Sequence, residues 1–85
     1  MTKISTLEEL RAAASRPYGA HVYISLAGGM MRSSKYIEYG TISKNYWIWN
    51  LSDDSSQTLE ENQIMDRAYT NIAEAMALGA LVLEN

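Results

Sequence analysis

The chain has 85 residues, a formal net charge of −3 at pH 7 and no cysteine. This length allows one domain with one small core, and a hydrophobic fraction of 47% predicts a globular protein. The lack of cysteine excludes disulfides and thiolate metal sites, and the single histidine excludes a His-rich metal site within one chain. The acidic balance argues against broad binding to a phosphate backbone. No apolar run approaches a membrane span and the polar N-terminus lacks a signal region, so we expect a cytoplasmic protein without a membrane partner.

The first predicted element is a helix that begins at Thr6. Thr6 can cap this helix, and Glu9 three residues later can complete a capping box. Pro17 disfavours a helical conformation at the residue before it, and Gly19 follows closely. The helix is therefore expected to end near Ser15.

Three short strands are predicted next, over Ala20 to Ala27, Lys35 to Thr41 and Tyr46 to Leu51. The segment from Gly28 to Ser34 is expected to form a flexible connection between the first two, because a glycine pair opens it. Alternation in the first strand turns three residues toward the core: Val22, Ile24 and Leu26.

The stretch from Lys35 to Asp53 is dense in Tyr, Trp and Ile, has a polar break at Ser43-Lys44-Asn45, and predicts a β-hairpin. A three-residue loop over the break places Tyr39 opposite Trp49, whereas a two-residue loop would place Gly40 there. We prefer the first register because it gathers one apolar face: Ile37, Tyr39, Trp47, Trp49 and Leu51. The opposite face is then amphipathic: Tyr36, Glu38, Tyr46, Ile48 and Asn50.

A polar loop follows the hairpin, and Thr58-Leu59-Glu60-Glu61 then repeats the helix-start signal of the N-terminus. This signal predicts a helix from about Leu59 to Asp66, and a second helical segment is expected from Ile72 to Leu78. Gly79 is well placed as the left-handed residue after that helix. The apolar segment Ala80 to Leu83 is predicted to be a short strand on the sheet edge.

These elements predict an α+β fold in a single small domain spanning residues 1–85. It consists of an N-terminal helix, a three-stranded antiparallel sheet (a meander), a C-terminal helical segment and a possible short fourth edge strand. The apolar helix faces and the apolar hairpin face are expected to meet in one two-layer core.

Residues that could carry chemistry are few and poorly arranged. His21 is the one good general base at neutral pH, but no nucleophile or acid is placed beside it by sequence. The acid pairs Asp53-Asp54 and Glu60-Glu61 suit a solvated loop and a helix start better than a metal site. Gly28-Gly29 lacks the lysine and hydroxyl of a phosphate-binding loop. We therefore assign no catalytic, cofactor-binding or metal-binding residue, and we do not expect an enzyme.

A protein-binding surface is predicted around the start of the second strand and the outer face of the hairpin. Methionine adapts to irregular partner surfaces, and Tyr and Arg are enriched at interfaces. The residues of this predicted surface are Met30, Met31, Arg32, Lys35, Tyr36 and Tyr46. Met30 and Met31 could instead fill a gap at the end of the core. The alternative surface is acidic and consists of Asp53, Asp54, Glu60, Glu61 and Asp66.

Two stretches, SSKYIEY from Ser33 to Tyr39 and TNIAEAMALGALVLE from Thr70 to Glu84, resemble segments of small acidic accessory proteins carried by phages and prophages. That class includes stoichiometric inhibitors of host systems, such as anti-CRISPR proteins. The resemblance implies an inhibitor located in the host cytoplasm, and it carries over no functional residue.

The leading prediction is thus a small non-enzymatic protein-binding module that inhibits or modulates a larger host protein or complex and needs no cofactor. One alternative is a nucleic-acid-directed regulator, either an acidic DNA mimic or a weak sheet-based binder, although nucleic acid is not favoured as a direct ligand. Another is a self-associating phage accessory or structural domain that forms a homodimer.

Overall fold

A six-stranded antiparallel sheet with three short helices on one face makes up the part of the chain that the computed structural model describes, residues 2–26 and 31–84. The strands are β1 (Thr2–Lys3), β2 (Ala20–Leu26), β3 (Met31–Gly40), β4 (Asn45–Asn50), β5 (Ser55–Glu60) and β6 (Leu81–Leu83). The helices are α1 (Leu7–Ala14), α2 (Glu61–Ile64) and α3 (Ile72–Ala77).

The strand order is β1-β6-β2-β3-β4-β5, so the predicted three-stranded sheet is wrong. The meander is longer by one strand, β5, and the C-terminal strand β6 lies inside the sheet between β1 and β2. Leu81 and Leu83 of β6 are both buried on the helix side of the sheet, as expected for a strand in this interior position. Strand β3 begins at Met31, so the second half of the predicted flexible connection is strand. The first part of that connection, Gly28 to Met30, lies outside the described residues, as does Ala27.

The predicted register of the hairpin is also wrong. Strands β3 and β4 are joined by the four residues 41–44, and Tyr36, not Tyr39, lies opposite Trp49. The shift is odd, so it reverses the two faces of β4. Tyr46 and Ile48 are buried in the core, while Trp47 and Trp49 lie on the opposite face. Ile37 is buried, as predicted.

Both four-residue turns of the meander have the same backbone feature. Lys44 ends the β3–β4 turn with a φ of 57°, and Asp54 ends the β4–β5 turn with a φ of 59°. Neither residue is glycine, so the sequence carries no glycine signal for these turns. This explains why the sequence pattern indicated neither the length of the first turn nor the existence of the second hairpin.

The first helix forms as predicted. The backbone N–H of Glu9 donates to Thr6 Oγ1 over 3.1 Å, and the Glu9 carboxylate accepts from the backbone N–H of Ser5. Ser15 is the C-terminal cap. The last helix, α3, ends before Gly79, whose φ of 66° is left-handed, as predicted.

The predicted helix from Leu59 to Asp66 is mostly wrong. Thr58 and Leu59 belong to strand β5, and only Glu61–Ile64 are helical. The capping box is real but lies two residues further along the chain. Glu60 is the N-terminal cap, and its backbone N–H donates to Gln63 Oε1 over 2.8 Å.

All three helices contribute to one core on one side of the sheet. The described residues form a compact α+β domain with a Cα radius of gyration of 11.7 Å. None of the described helices is long and apolar enough to cross a membrane. The largest fully buried side chains of the core are Tyr46, Leu10, Ile24, Ile37, Ile48, Ile64, Ile72, Leu81 and Val22.

Candidate functional site

The sheet face opposite the helices, which we call the outer face, is covered by none of the described helices. Alternation along the central strands places aromatic side chains on this face. All of them are half-buried, so their rings are partly open to solvent. The aromatic residues of the outer face are His21 and Tyr23 on β2, Tyr36 on β3, and Trp47 and Trp49 on β4.

Three of these rings form a row that runs across the strands. Tyr36 pairs with Trp49 on one side and with His21 on the other. The Tyr36 and Trp49 ring centroids are 5.8 Å apart, within the range of favourable aromatic pairs. At the end of the row, Nδ1 of His21 contacts the carboxylate of Glu84, whose backbone N–H donates to the His21 carbonyl over 2.8 Å. The three residues therefore lie side by side across β4, β3 and β2, and Glu84, the residue after β6, lies at the His21 end of the row.

A carboxylate lies among the aromatic rings. Glu38 pairs with Trp47 and precedes Gly40 on β3, two positions after Tyr36. Cγ of Glu38 and Cζ of Tyr36 both lie near the Cβ position of Gly19. Burial raises the pKa of the Tyr36 hydroxyl, and the neighbouring Glu38 carboxylate raises it further. We call Tyr36, Glu38, Trp47 and Trp49 the Glu38 block.

Two glycines give the Glu38 block its shape. A Cβ atom on Gly40 would lie 2.7 Å from Cζ3 of Trp47, so the indole lies directly against the backbone of β3. A Cβ atom on Gly19 would lie 2.8 Å from Cγ of Glu38 and 3.1 Å from Cζ of Tyr36. The rings are thus held close to the sheet, and a side chain at either glycine would displace them.

The predicted partner surface is only partly on the outer face. Tyr36 lies there, but Tyr46 has no exposed surface and belongs to the core, which corrects its assignment. Lys35 lies on the helix side, where its Nζ donates to Asn50 Oδ1 and burial lowers the pKa of its amine. Met30 lies outside the described residues, as do the side chains of Met31 and Arg32.

The alternative acidic surface is not continuous. Asp53 and Asp54 precede β5, while Glu60 ends this strand and Glu61 begins α2. The five strand residues between Asp54 and Glu60 separate the two pairs by about 20 Å. Asp66 accepts a hydrogen bond from the N–H of Ala68, within its own loop. The spacing does not reproduce the closely spaced charges of a nucleic-acid backbone, so the arrangement disfavours DNA mimicry.

Glu61 is instead the centre of a polar bridge on the helix side. Its Oε1 accepts from the Tyr39 hydroxyl over 2.6 Å and from Nη2 of Arg11 over 2.9 Å. The Arg11 guanidinium also lies 5.8 Å from the centre of the Tyr39 ring. These contacts join α1, β3 and α2, so we regard the cluster as a structural bridge between elements.

Beneath this bridge, the buried Tyr46 hydroxyl lies near the Arg11 guanidinium. Burial raises the pKa of Tyr46, and the positive charge of Arg11 partly offsets that rise. Neither the hydroxyl nor Nε of Arg11 forms a hydrogen bond of good geometry with a described group. Within residues 2–26 and 31–84, no group of three or more His, Asp and Glu side chains could hold a metal ion.

The comparisons with known proteins assign this chain to no family. No family model, no curated protein and no solved structure matches this chain. The candidate site therefore depends on the geometry of the outer face alone. Sequence reasoning placed Tyr36 and Glu38 on this face but missed Trp47 and Trp49. A search for all hairpin registers with a four-residue turn would have found them.

Proposed function

We propose that this chain is a small non-enzymatic protein-binding module whose contact surface is the outer face of the sheet. The observation that carries the proposal is the aromatic row of Trp49, Tyr36 and His21. This row shares Trp49 and Tyr36 with the Glu38 block. Rigid aromatic side chains contribute most to binding energy in protein interfaces because they bury a large area at a small cost in conformational entropy.

The arrangement of the helices supports this assignment. They cover one face of the sheet and complete the core, so the aromatic residues on the other face are not needed to close it. Trp47 and Trp49 are the only two tryptophans of the chain, and both lie on the outer face. Half-buried rings that stay partly open to solvent are a reason to expect a partner.

We further propose that the partner is a larger host protein or complex, located in the cytoplasm, which the module inhibits or modulates by occupying its surface. The small size and the acidic charge support this role, as does the resemblance of two segments to small phage-carried proteins, a class that includes inhibitors. Direct nucleic-acid binding is disfavoured because Glu38 and Glu84 lie on the aromatic face.

The experiment compares capture and binding by matched variants. Wild-type protein captures partners from host lysate for identification by mass spectrometry, and the partner is then purified and titrated. Trp49→Thr removes a ring of the row with a residue suited to strands. Tyr69→Thr removes an exposed ring away from the outer face and serves as the control.

We expect Trp49→Thr to weaken partner binding by a factor of about ten or more, which is about 1.4 kcal/mol, while Tyr69→Thr binds as the wild type does. Stoichiometric wild-type protein should change the partner's activity, and Trp49→Thr should not. Equal affinities for the wild type and folded Trp49→Thr would overturn the proposal. A wild-type homodimer that Trp49→Thr converts to monomer would show that the outer face serves self-association instead.

A further inference from the structure

The Glu38 block combines two kinds of group, aromatic rings and a carboxylate, that both bind organic cations. Aromatic faces attract organic cations through their negative electrostatic potential, and a carboxylate attracts them through its charge. Trp47 lies directly across the ladder from Glu38, and Tyr36 and Trp49 form the next pair along. The carboxylate is thus adjacent to the aromatic side chains on one surface.

The carboxylate of Glu38 is not neutralised within the described part of the chain. The ion pairs there join Arg11 to Glu61 and Arg67 to Glu74, and neither involves Glu38. His21 contacts Glu84 and not Glu38. Glu38 is half-buried beside rings, where the lower local dielectric strengthens its attraction for a cation.

The described cations of the chain are directed elsewhere. Nζ of Lys3 lies near Gly79, at the end of β6 away from Glu84, and Lys35 donates to Asn50 on the helix side. Arg16 lines a depression beside α1, and Lys44 lines another beside the β3–β4 turn. The block therefore has charge complementarity for a cation supplied by a partner.

We propose that the Glu38 block binds an arginine side chain of a protein partner. A guanidinium is planar, so it stacks on an indole or phenol ring while its N–H groups donate to the carboxylate in the same plane. A lysine ammonium can form the ion pair but lacks the planar stacking surface. This proposal rests on the proposed function, since it names the chemistry that the outer face recognises.

The first test uses the wild-type protein and synthetic peptides. Both tryptophans belong to the block, so intrinsic fluorescence reports its occupation directly. Hexa-arginine is compared with hexa-citrulline, in which each guanidinium is replaced by a neutral group of the same shape. We expect hexa-arginine to bind about tenfold more tightly than hexa-citrulline. Equal affinities would overturn the proposal, and so would tighter binding of single-stranded oligothymidine.

The second test separates the site from the net charge. Glu38→Gln and Glu8→Gln each remove one negative charge, but Glu8 is exposed on α1, away from the outer face. We expect Glu38→Gln to weaken hexa-arginine binding about fivefold or more, and Glu8→Gln less than twofold. Equal effects of the two variants would show general charge attraction and overturn the proposal.

The outcomes of the two proposals are distinguishable. If Trp49→Thr releases the purified partner but Glu38→Gln does not, the outer face is the interface and the arginine proposal fails. If both variants retain the partner at wild-type affinity, the proposed function itself fails.

Discussion

The indole of Trp47 lies against Gly40 of the neighbouring strand, where a Cβ atom would come within 2.7 Å of ring atom Cζ3. Glycine at this position lets the ring cover the backbone of β3. Gly40→Ala must displace the ring, so we expect it to lower the free energy of unfolding by about 1–3 kcal/mol in urea titrations. The displacement should also shift the tryptophan emission toward longer wavelength.

The Trp47→Thr background provides the control for Gly40→Ala. Without the indole, the added methyl group loses its main obstacle, so the cost of Gly40→Ala should fall clearly below its wild-type cost. An unchanged cost would assign the steric conflict to Ser43, whose Oγ lies 2.8 Å from the same Cβ position.

The faces of β4 can be tested with two adjacent residues. Ile48 is buried in the core and Trp49 is half-buried on the outer face. We expect Ile48→Ala to cost about 2–5 kcal/mol, as for other buried aliphatic side chains. Trp49→Thr should cost only about 1 kcal/mol, mainly through the lost pair with Tyr36. A larger loss for Trp49→Thr in chemical denaturation would contradict the register.

The two turns of the meander predict stabilising substitutions. Lys44 and Asp54 have left-handed φ values that strain an L-residue, and glycine removes this strain. Glycine also adds conformational entropy to the unfolded chain, which offsets part of this gain. We therefore expect Lys44→Gly and Asp54→Gly each to raise the free energy of unfolding by about 0.5 kcal/mol. Ser43→Gly, at a turn position with negative φ, should instead lower stability, and stabilisation by Ser43→Gly would contradict the turn geometry.

Two tyrosines of the core side offer a matched pair of hydroxyl deletions. Tyr39→Phe removes the 2.6 Å hydrogen bond to Glu61, so we expect a melting temperature lower by roughly a few degrees. Tyr46→Phe removes a buried hydroxyl without a well-formed hydrogen bond, so its effect should be near zero or stabilising. The reverse order in thermal melts would show that Tyr46 and Arg11 form the stronger contact.

Asp53 predicts a pH dependence at the β4–β5 turn. Its Oδ1 accepts from the Ser55 hydroxyl over 2.6 Å and from the Ser55 N–H over 3.0 Å, and these bonds lower the pKa of the carboxyl below its ordinary 3.8. A lowered pKa in the folded state means that the contribution to stability is present above pH 3.8 and is lost as the pH falls through the lowered value.

The measurement for Asp53 is a series of thermal melts from pH 7 to pH 2. Asp53→Asn should melt at a lower temperature than the wild type at pH 7, and this difference should shrink on acidification below pH 3.8. Asp54→Asn removes a charge from the same turn without removing these hydrogen bonds and should show a smaller change. A difference that persists unchanged at pH 2 would contradict the assignment.

Elements with short-range signals could be predicted from the sequence. The capping residues Thr6 and Glu9 define the start of α1, and Pro17 defines its end, because these effects act within about one helical turn. Gly79 after α3 is a signal of the same kind. The alternation of Val22 and Ile24 likewise predicted the buried side of β2.

Strand β5 could not be predicted in this way. Its sequence, SSQTLE, is polar and contains a helix-start signal, and it becomes a strand because β4 supplies a complete set of backbone partners. The capping box then forms later, at Glu60 and Gln63, where the strand has ended. Pairing between strands is a tertiary property, so it can override a local preference for helix.

The composition of the outer face, like strand β5, could not be predicted from local sequence. Tyrosine and tryptophan suit either a core or a surface, so their hydrophobicity alone does not say which side of β4 they occupy. The four-residue turn at 41–44 places Tyr46 and Ile48 beneath the helices and turns Trp47 and Trp49 outward. Local sequence is therefore sufficient for the ends of α1 and α3 and for the strand character of β2, β3 and β4, because caps and alternation act over a few residues. The register, the six-stranded order and the Glu38 block arise only from packing across the sheet, because a one-residue change in pairing exchanges every side chain between the two faces.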